Sequence, residues 1–481
     1  MVSEFMREQK RYTQRELCGI LKCSEAEAVS LIRKLKEYGV LKAVKASELQ
    51  KDMTDLVNED IEIADVEAGE NEYFYVLTFV GVIVVAGRAL KCYPKYLLHK
   101  EEPKAELCQV IKVLKKYNSR EQIIRLFHES SESSSFNLLA TLTFLLQDYY
   151  EYGVYGNTEE IIERNGSGEI LWDKTINEAF VLLSGGRPYY TELWTKNRVN
   201  DDRDYFKRLH ECILTKASDE LRAADLLDIF ELTGVSLTEE KIDGFGEKEY
   251  ILYRIEKELN TQFNTRKQLV LQAMYAYIDQ SGSLEDAECF SVFGTNRFNL
   301  VWEGVCKDIL DDQLEKRLES LDLPVPLNPR YDRANKLIEL IEKPLWTVTG
   351  KRAKDTLIPD LVSIWKSVRG HAFVLFDAKY YIARLEADKM PKGQPGIESV
   401  TKQYLYQLAF REFINDHGFS SVSNCFLMPT EEEEVVDKGE VRLAMLGGLE
   451  LQNIQVRLLP ASLAYTCYLS GRKLDVGELK L

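Results

Sequence analysis

The chain has no long apolar run. None of its 481 residues falls in a stretch that reaches the roughly 18 apolar residues a membrane helix needs. The greasiest segment, FYVLTFVGVIVVAG at residues 74–87, is rich in β-branched residues and holds two glycines, so it reads as buried strands rather than a span. The N-terminus, MVSEFMREQKRYTQ, lacks the apolar core of a secretory signal. Nine cysteines are scattered without a CxxC pair, which excludes a regular disulfide framework and points to a reducing cytoplasm. The five histidines have no zinc-binding spacing. A GxxxxGK[ST] loop is missing, so no nucleotide is expected on a Walker A site. Positive charge is also short: 62 Lys and Arg face 78 Asp and Glu, and a net charge of -16 argues against a protein coated in nucleic acid.

What is present is ordinary in bulk and uneven along the chain. Apolar content of 45% and charged content of 29% fit a globular protein, and the length calls for two to four domains with separate cores. Charge reverses locally. Residues 330–412 hold fifteen Lys or Arg against ten Asp or Glu, a balance of +5, although a solvated face gathers such charge by chance as well.

At the N-terminus, Thr13 caps a short helix and Ser24-x-x-Glu27 forms a capping box for a second, with apolar residues at helical spacing up to Gly39. The strand VLKAVK follows, which together gives a winged helix-turn-helix over residues 1–50. Arg33, Lys34 and Lys36 on the second helix suit phosphates or base edges, or form the solvated face of a protein-docking module. An acidic connector at 58–72 leads into a β-rich segment with helices, residues 70–176, where Gly81 and Gly87 punctuate a hairpin or small barrel. Residues 102–152 read as helical, 177–290 as a helical region, and LSGGRPYYTELW at 183–194 as a turn rather than a phosphate loop. The remainder, 291–481, is the last domain.

The chemistry concentrates there. HAFVLFDAKYY, residues 371–381, reads as a central strand with a polar end, and Asp377 and Lys379 leave the same face of it. A carboxylate is a hard oxygen ligand for Mg²⁺, and a lysine beside the metal orients water or neutralises charge on a phosphate. Asp360, after Pro359, precedes Asp377 by seventeen positions, enough chain for the end of one strand, a turn at SVRG and the next strand, so two acids meet one metal. The acid run at 431–434 is a solvated loop by the same logic, since consecutive acids do not converge on one ion.

Pro359-Asp360 followed by Asp377-Ala378-Lys379 resembles the PD-(D/E)xK nuclease motif, which implies Mg²⁺-dependent hydrolysis of phosphodiesters. Two further positions follow from that resemblance: Glu303, on the helix FNLVWEGVCKDIL, as a third metal-site acid, and Gln407, with Gln403 one turn before it, as the polar residues of the helix after the core. Gln407 and Gln403 would orient Lys379 or contact the DNA backbone. Each residue also has a plainer reading, as a turn cap for Asp360, a snorkelling Lys379, a solvent-facing Glu303 and a Gln407 bonded to backbone.

The segments FVGVIVVAGRALKCYPKYL, NGSGEILWDKTI, FNLVWEGVCKDIL, IPDLV, FDAKYY and KQYLYQLAF together resemble LlaJI-type restriction endonucleases, relatives of McrC. That resemblance implies an α+β multidomain chain with an N-terminal winged helix, a β-rich and helical middle and a C-terminal PD-(D/E)xK α/β core. It implies the cytoplasmic nuclease subunit of a bacterial restriction system that acts on double-stranded DNA with Mg²⁺ and a separate McrB-like AAA+ NTPase. The competing expectation is a non-catalytic winged-helix adaptor that retains a nuclease fold.

Overall fold

The computed structural model describes residues 1–45, 73–118, 137–156, 158–200, 204–280, 283–286, 289–368, 370–385 and 388–481. The acidic connector expected at 58–72, and residues 119–136 of the expected helical stretch, lie outside them. The chain divides into two compact units: a larger one of Val2–Ile83, Arg88–Gln122 and Val292–Leu481, and a smaller one of Met1, Val84–Gly87 and Ile123–Ser291. The protein is a mixed α+β chain with several sheets.

The larger unit begins with β1 (Val2–Arg7) and β2 (Arg11–Tyr12). Two helices follow, α1 (Gln14–Leu21) and α2 (Glu25–Glu37), and both start on reciprocal capping boxes, Thr13 with Glu16 and Ser24 with Glu27. Gly39, with φ of 67°, turns the chain out of α2 in a conformation that costs other residues energy. β3 (Leu41–Lys45) pairs antiparallel with β4 (Tyr73–Leu77), and β4 pairs with β2 on its other side. β5 (Val80–Val85) and β6 (Arg88–Tyr93) form the hairpin expected between Gly81 and Gly87, and β1 adds to β6 in parallel. Gly81 is required there: a Cβ on it would lie 2.1 Å from the carbonyl oxygen of Phe293, in the edge strand β7 (Phe290–Thr295). α3 (Lys104–Asn118) follows β6.

After β7 comes α4 (Phe298–Ile309), then a five-stranded mixed sheet. Its strands are β8 (Leu361–Ser367), β9 (Gly370–Ala378), β10 (Ser421–Thr430), β11 (Val436–Val441) and β12 (Ile454–Pro460), in the order β8-β9-β10-β12-β11. β8 is antiparallel to β9, whereas β9, β10 and β12 run parallel. The parallel step from β9 to β10 is carried by α5 (Ile397–His417), and α6 (Ala461–Ser470) follows β12. Strand alternation sends Phe373 and Leu375 to one face, where they pack on Tyr406, Phe410 and Phe413 of α5. Each such buried side chain contributes about 1.5–3 kcal/mol by leaving water. α4 and α6 meet through Trp302 and Tyr465, with ring centroids 6.2 Å apart, and the Trp302 indole N–H donates to the Leu427 carbonyl of β10.

In the smaller unit the segment expected to be helical from 177 opens instead with strands. Val181–Ser184 and Arg187–Tyr190 form a hairpin, and Trp194–Asn200 pairs with Thr158–Arg164 and Glu169–Ile170. Gly185 and Gly186 both take positive φ, 60° and 74°, so SGGR is a tight turn, as its composition implies. Helices then dominate, at Tyr205–Ala223, Lys248–Thr261 and Thr265–Gln280. Arg266 clamps the buried Asp148 with two nitrogens, at 2.9 and 2.6 Å. Among the described residues no helix is long and apolar enough to cross a membrane.

Candidate active site

The antiparallel register of β8 and β9 builds the site. Leu361 opens β8 opposite Phe376, so Asp360 stands just before the strand and beside the end of β9. The two acids meet because the hairpin folds the start of β8 onto the finish of β9. The Ala378 N–H donates to Asp360 Oδ2 at 2.9 Å. Asp377 is buried, points to the same face as Phe373 and Leu375, and its Oδ1 accepts from Lys379 Nζ at 2.8 Å. Asp360, Asp377 and Lys379 are thereby brought together.

Their electrostatics are those of a crowded acid pair. Burial pushes the Asp360 carboxyl well above its ordinary value, and the hydrogen bond and charge of Asp377 push it the same way against the pull of Lys379. Burial alone would lower Lys379, but the charge of Asp377 and its hydrogen bond, with Asp360 behind them, hold the ammonium above the usual lysine value. The two carboxylates lie at hydrogen-bond range, Asp360 with a raised proton affinity, and form a hard oxygen donor set suited to a divalent cation. The donor set fits Mg²⁺, which takes one or two carboxylates and keeps several waters. Among the described residues no third acid, histidine or cysteine completes a three-ligand group.

The other expected residues are placed as follows. Glu303 lies on α4 with Oε1 2.6 Å from Lys307 Nζ, and is not gathered with Asp360 and Asp377. Gln403 is fully buried under the sheet, its Nε2 donating to the Leu375 carbonyl at 3.4 Å, which leaves it no surface to present to DNA. Gln407 is buried too, and its Oε1 accepts from the Gln452 N–H at 3.1 Å, ahead of β12. Tyr380, Tyr404 and Tyr406 are core residues. Arg33 is exposed on α2, whereas Lys34 and Lys36 are half-buried in its last turn, where cations complement the helix dipole. The acid run after β10 is solvated apart from Glu431, which meets His99.

Several residues had no distinct signal in the sequence. Asp312 Oδ1 accepts from the Val362 N–H at 3.0 Å and pins the start of β8. Lys307 feels the charges of both Glu303 and Asp360; its i,i+4 spacing from Glu303 is the one clue visible beforehand. Tyr380, next to Lys379, donates to the buried Glu8 beyond β1.

A profile of LlaJI restriction endonucleases matches residues 79–459. The chain belongs to the LlaJI restriction endonuclease family. The resemblance carried by the sequence motifs is thus borne out, and the match contains Glu303, Asp360, Asp377, Lys379 and Gln407. Among curated proteins, the chain is similar to "Type II restriction enzyme BsuMI component YdjA" of Bacillus subtilis (strain 168), with 25% identity over 421 residues that cover 84% of this chain and 83% of that relative. Among solved structures, it is similar to McrC bound to McrB AAA+ hexamers from Thermococcus gammatolerans, with 11% identity, 98% and 99% of the two chains covered and a TM-score of 0.38. The McrBC complex of the same organism matches with 12% identity over 65% of this chain and 88% of that one, at a TM-score of 0.27.

Proposed function

We propose that this chain is the Mg²⁺-dependent DNA endonuclease subunit of a bacterial restriction system, with the sheet of β8 to β12 as its PD-(D/E)xK core. The observation that carries the reading is the convergence of Asp360, Asp377 and Lys379 at the shared end of β8 and β9. Asp360 and Asp377 hold the metal. When bound, Mg²⁺ supplies Lewis-acid stabilisation of charge on the phosphate and a lowered pKa for water. The Ala378 N–H fixes one oxygen of Asp360 so that the carboxylate keeps its aim. Lys379, charged at neutral pH and tethered to Asp377, donates to the attacking water or to a phosphate oxygen. Glu303, held by Lys307, is a lesser member that accepts from water around the ion. Gln407 acts by holding the entry to β12 beneath the site.

The element order from Arg11 to Leu77, a short strand, two capped helices and an antiparallel strand pair, supports a winged helix there, with Arg33, Lys34 and Lys36 as DNA contacts. A separate McrB-like AAA+ NTPase is the proposed partner, because the McrC-like segments occur in a chain without a GxxxxGK[ST] loop. The competing reading is a non-catalytic winged-helix adaptor that retains this core. Cleavage of supercoiled plasmid with Mg²⁺, with and without the NTPase and nucleotide, decides between them. Loss of cutting in Asp377→Ala and Lys379→Ala supports the nuclease; folded wild-type protein that never cuts supports the adaptor.

A further inference from the structure

A small hairpin stands eight residues ahead of Asp360. Leu345 pairs with Arg352 and Trp346 with Lys351, and the chain reverses through Thr347–Gly350, with Gly350 at φ of 64°. The base is anchored. Ile341 and Leu357 pack into the cluster that holds Val362, Phe373 and Leu375, the Thr356 hydroxyl donates to the Glu342 carbonyl at 2.7 Å, and the Ala353 N–H donates to the Pro344 carbonyl at 2.8 Å. Beyond that base no described residue covers the hairpin tip. Trp346 is 65% exposed, Leu345 54%, Val348 100%, and Ile358, two residues before Asp360, 62%.

Apolar surface of this kind, raised on an anchored stem, marks a contact site rather than misplaced core. Its charge says what it contacts. Residues 343–354, KPLWTVTGKRAK, carry Lys343, Lys351, Arg352 and Lys354 and no acid, in a chain whose net charge is -16. Directly opposed residues of an antiparallel pair share a face, so Trp346 lies beside Lys351 and Leu345 beside Arg352. Arg352 is steered by Glu342 at 3.0 Å, while no ion pair among the described residues engages Lys343, Lys351 or Lys354. Apolar tips set between cations are how proteins enter a DNA groove: the cations take phosphates, and the tip lies against sugars and base edges. A neutral protein surface would match the apolar residues but would leave Lys343, Lys351 and Lys354 without opposing charge.

We propose that the hairpin Leu345–Arg352 is a DNA-contacting finger that places Trp346 and Val348 in a groove of the duplex and Lys343, Lys351 and Lys354 on its phosphates, and so sets the substrate against Asp360 and Asp377. The proposal rests on the reading that duplex DNA is the substrate.

The test is fluorescence anisotropy of a labelled DNA duplex with the full-length chain in Ca²⁺, across a salt series, alongside plasmid cleavage in Mg²⁺ and thermal unfolding. Lys351→Ala/Lys354→Ala is expected to flatten the salt dependence by about two phosphate contacts. Trp346→Ala/Val348→Ala is expected to weaken binding by about fivefold or more with the salt slope unchanged. Both variants are expected to unfold at the wild-type temperature, since the residues are exposed. Wild-type affinity and slope in both variants, with a wild type that cuts, overturn the finger. Normal DNA binding with cleavage lost only when the NTPase is present also overturns it and makes the hairpin a protein-docking element. A wild type that binds through the hairpin but never cuts leaves the finger standing and removes the nuclease reading instead.

Discussion

Tyr380 and Glu8, 372 residues apart, are joined by a hydrogen bond in which the tyrosine hydroxyl donates to Glu8 Oε2 across 2.5 Å. Both are buried, and the Lys95 N–H donates to the same carboxylate oxygen at 3.2 Å. Lys95 Nζ lies 4.5 Å from the centre of the Tyr380 ring. Tyr380 follows Lys379 in the chain, so the polar end of β9 is anchored to the residue that follows β1.

Tyr380→Phe removes that donor and leaves the carboxylate under-satisfied in the core. Urea unfolding is expected to show a loss of about 1–3 kcal/mol. A variant as stable as wild type would mean that the bond has no structural weight.

The same carboxyl gives a pH signature. Burial raises the Glu8 pKa above its ordinary 4.5, outweighing the charge of Lys95 and the hydrogen bond from Tyr380. A group that binds its proton more tightly when folded contributes stability that is complete below the unfolded pKa and is lost as pH rises through the folded one. Stability of the wild type relative to Glu8→Gln is therefore expected to fall as pH rises from about 4.5 towards neutrality, read from urea midpoints across that series.

At the acid pair the sign is the same and the consequence is functional. The raised Asp360 keeps its proton to higher pH than an ordinary aspartate, so Mg²⁺ competes with that proton and its apparent affinity is expected to rise with pH. Calorimetric titration with Mg²⁺ at several pH values checks this through proton release on binding. In Asp377→Asn, which removes the neighbouring charge, both the affinity and the proton release are expected to drop.

If Lys379 acts as proposed, as a donor to developing charge and not a ligand, Lys379→Ala is expected to lower plasmid cleavage by about a hundredfold or more with Mg²⁺ affinity retained. Equal cleavage by the variant and wild type would take Lys379 out of the chemistry.

Glu303→Gln separates a ligand from a lesser role. Because Lys307 already holds this carboxylate, Mg²⁺ affinity is expected to stay within about twofold and cleavage to fall by about tenfold, short of the loss in Asp377→Asn. An affinity loss as large as that of Asp377→Asn would make Glu303 a direct ligand.

Local pattern made much of this protein legible without coordinates. The Ser24 and Glu27 box, the strand through Phe373 to Asp377, the shared face of Asp377 and Lys379, and the Gly185-Gly186 turn all follow from periodicity, capping and φ preferences within a few residues. Gln403 and Gln407 read as one helical face, which they are, but spacing does not distinguish a face turned to DNA from one turned to a sheet.

The sequence by itself determined many of the elements, though not the strands at 181–200, and it determined the order of the acids and lysine and the family. Only tertiary structure decided that Glu303 is paired with Lys307, that Gln403 is sealed in the core, and that Trp346 is left in solvent. Backbone geometry restricts near neighbours directly, whereas burial and long-range partners such as Glu8 and Tyr380 depend on how distant segments exclude water together.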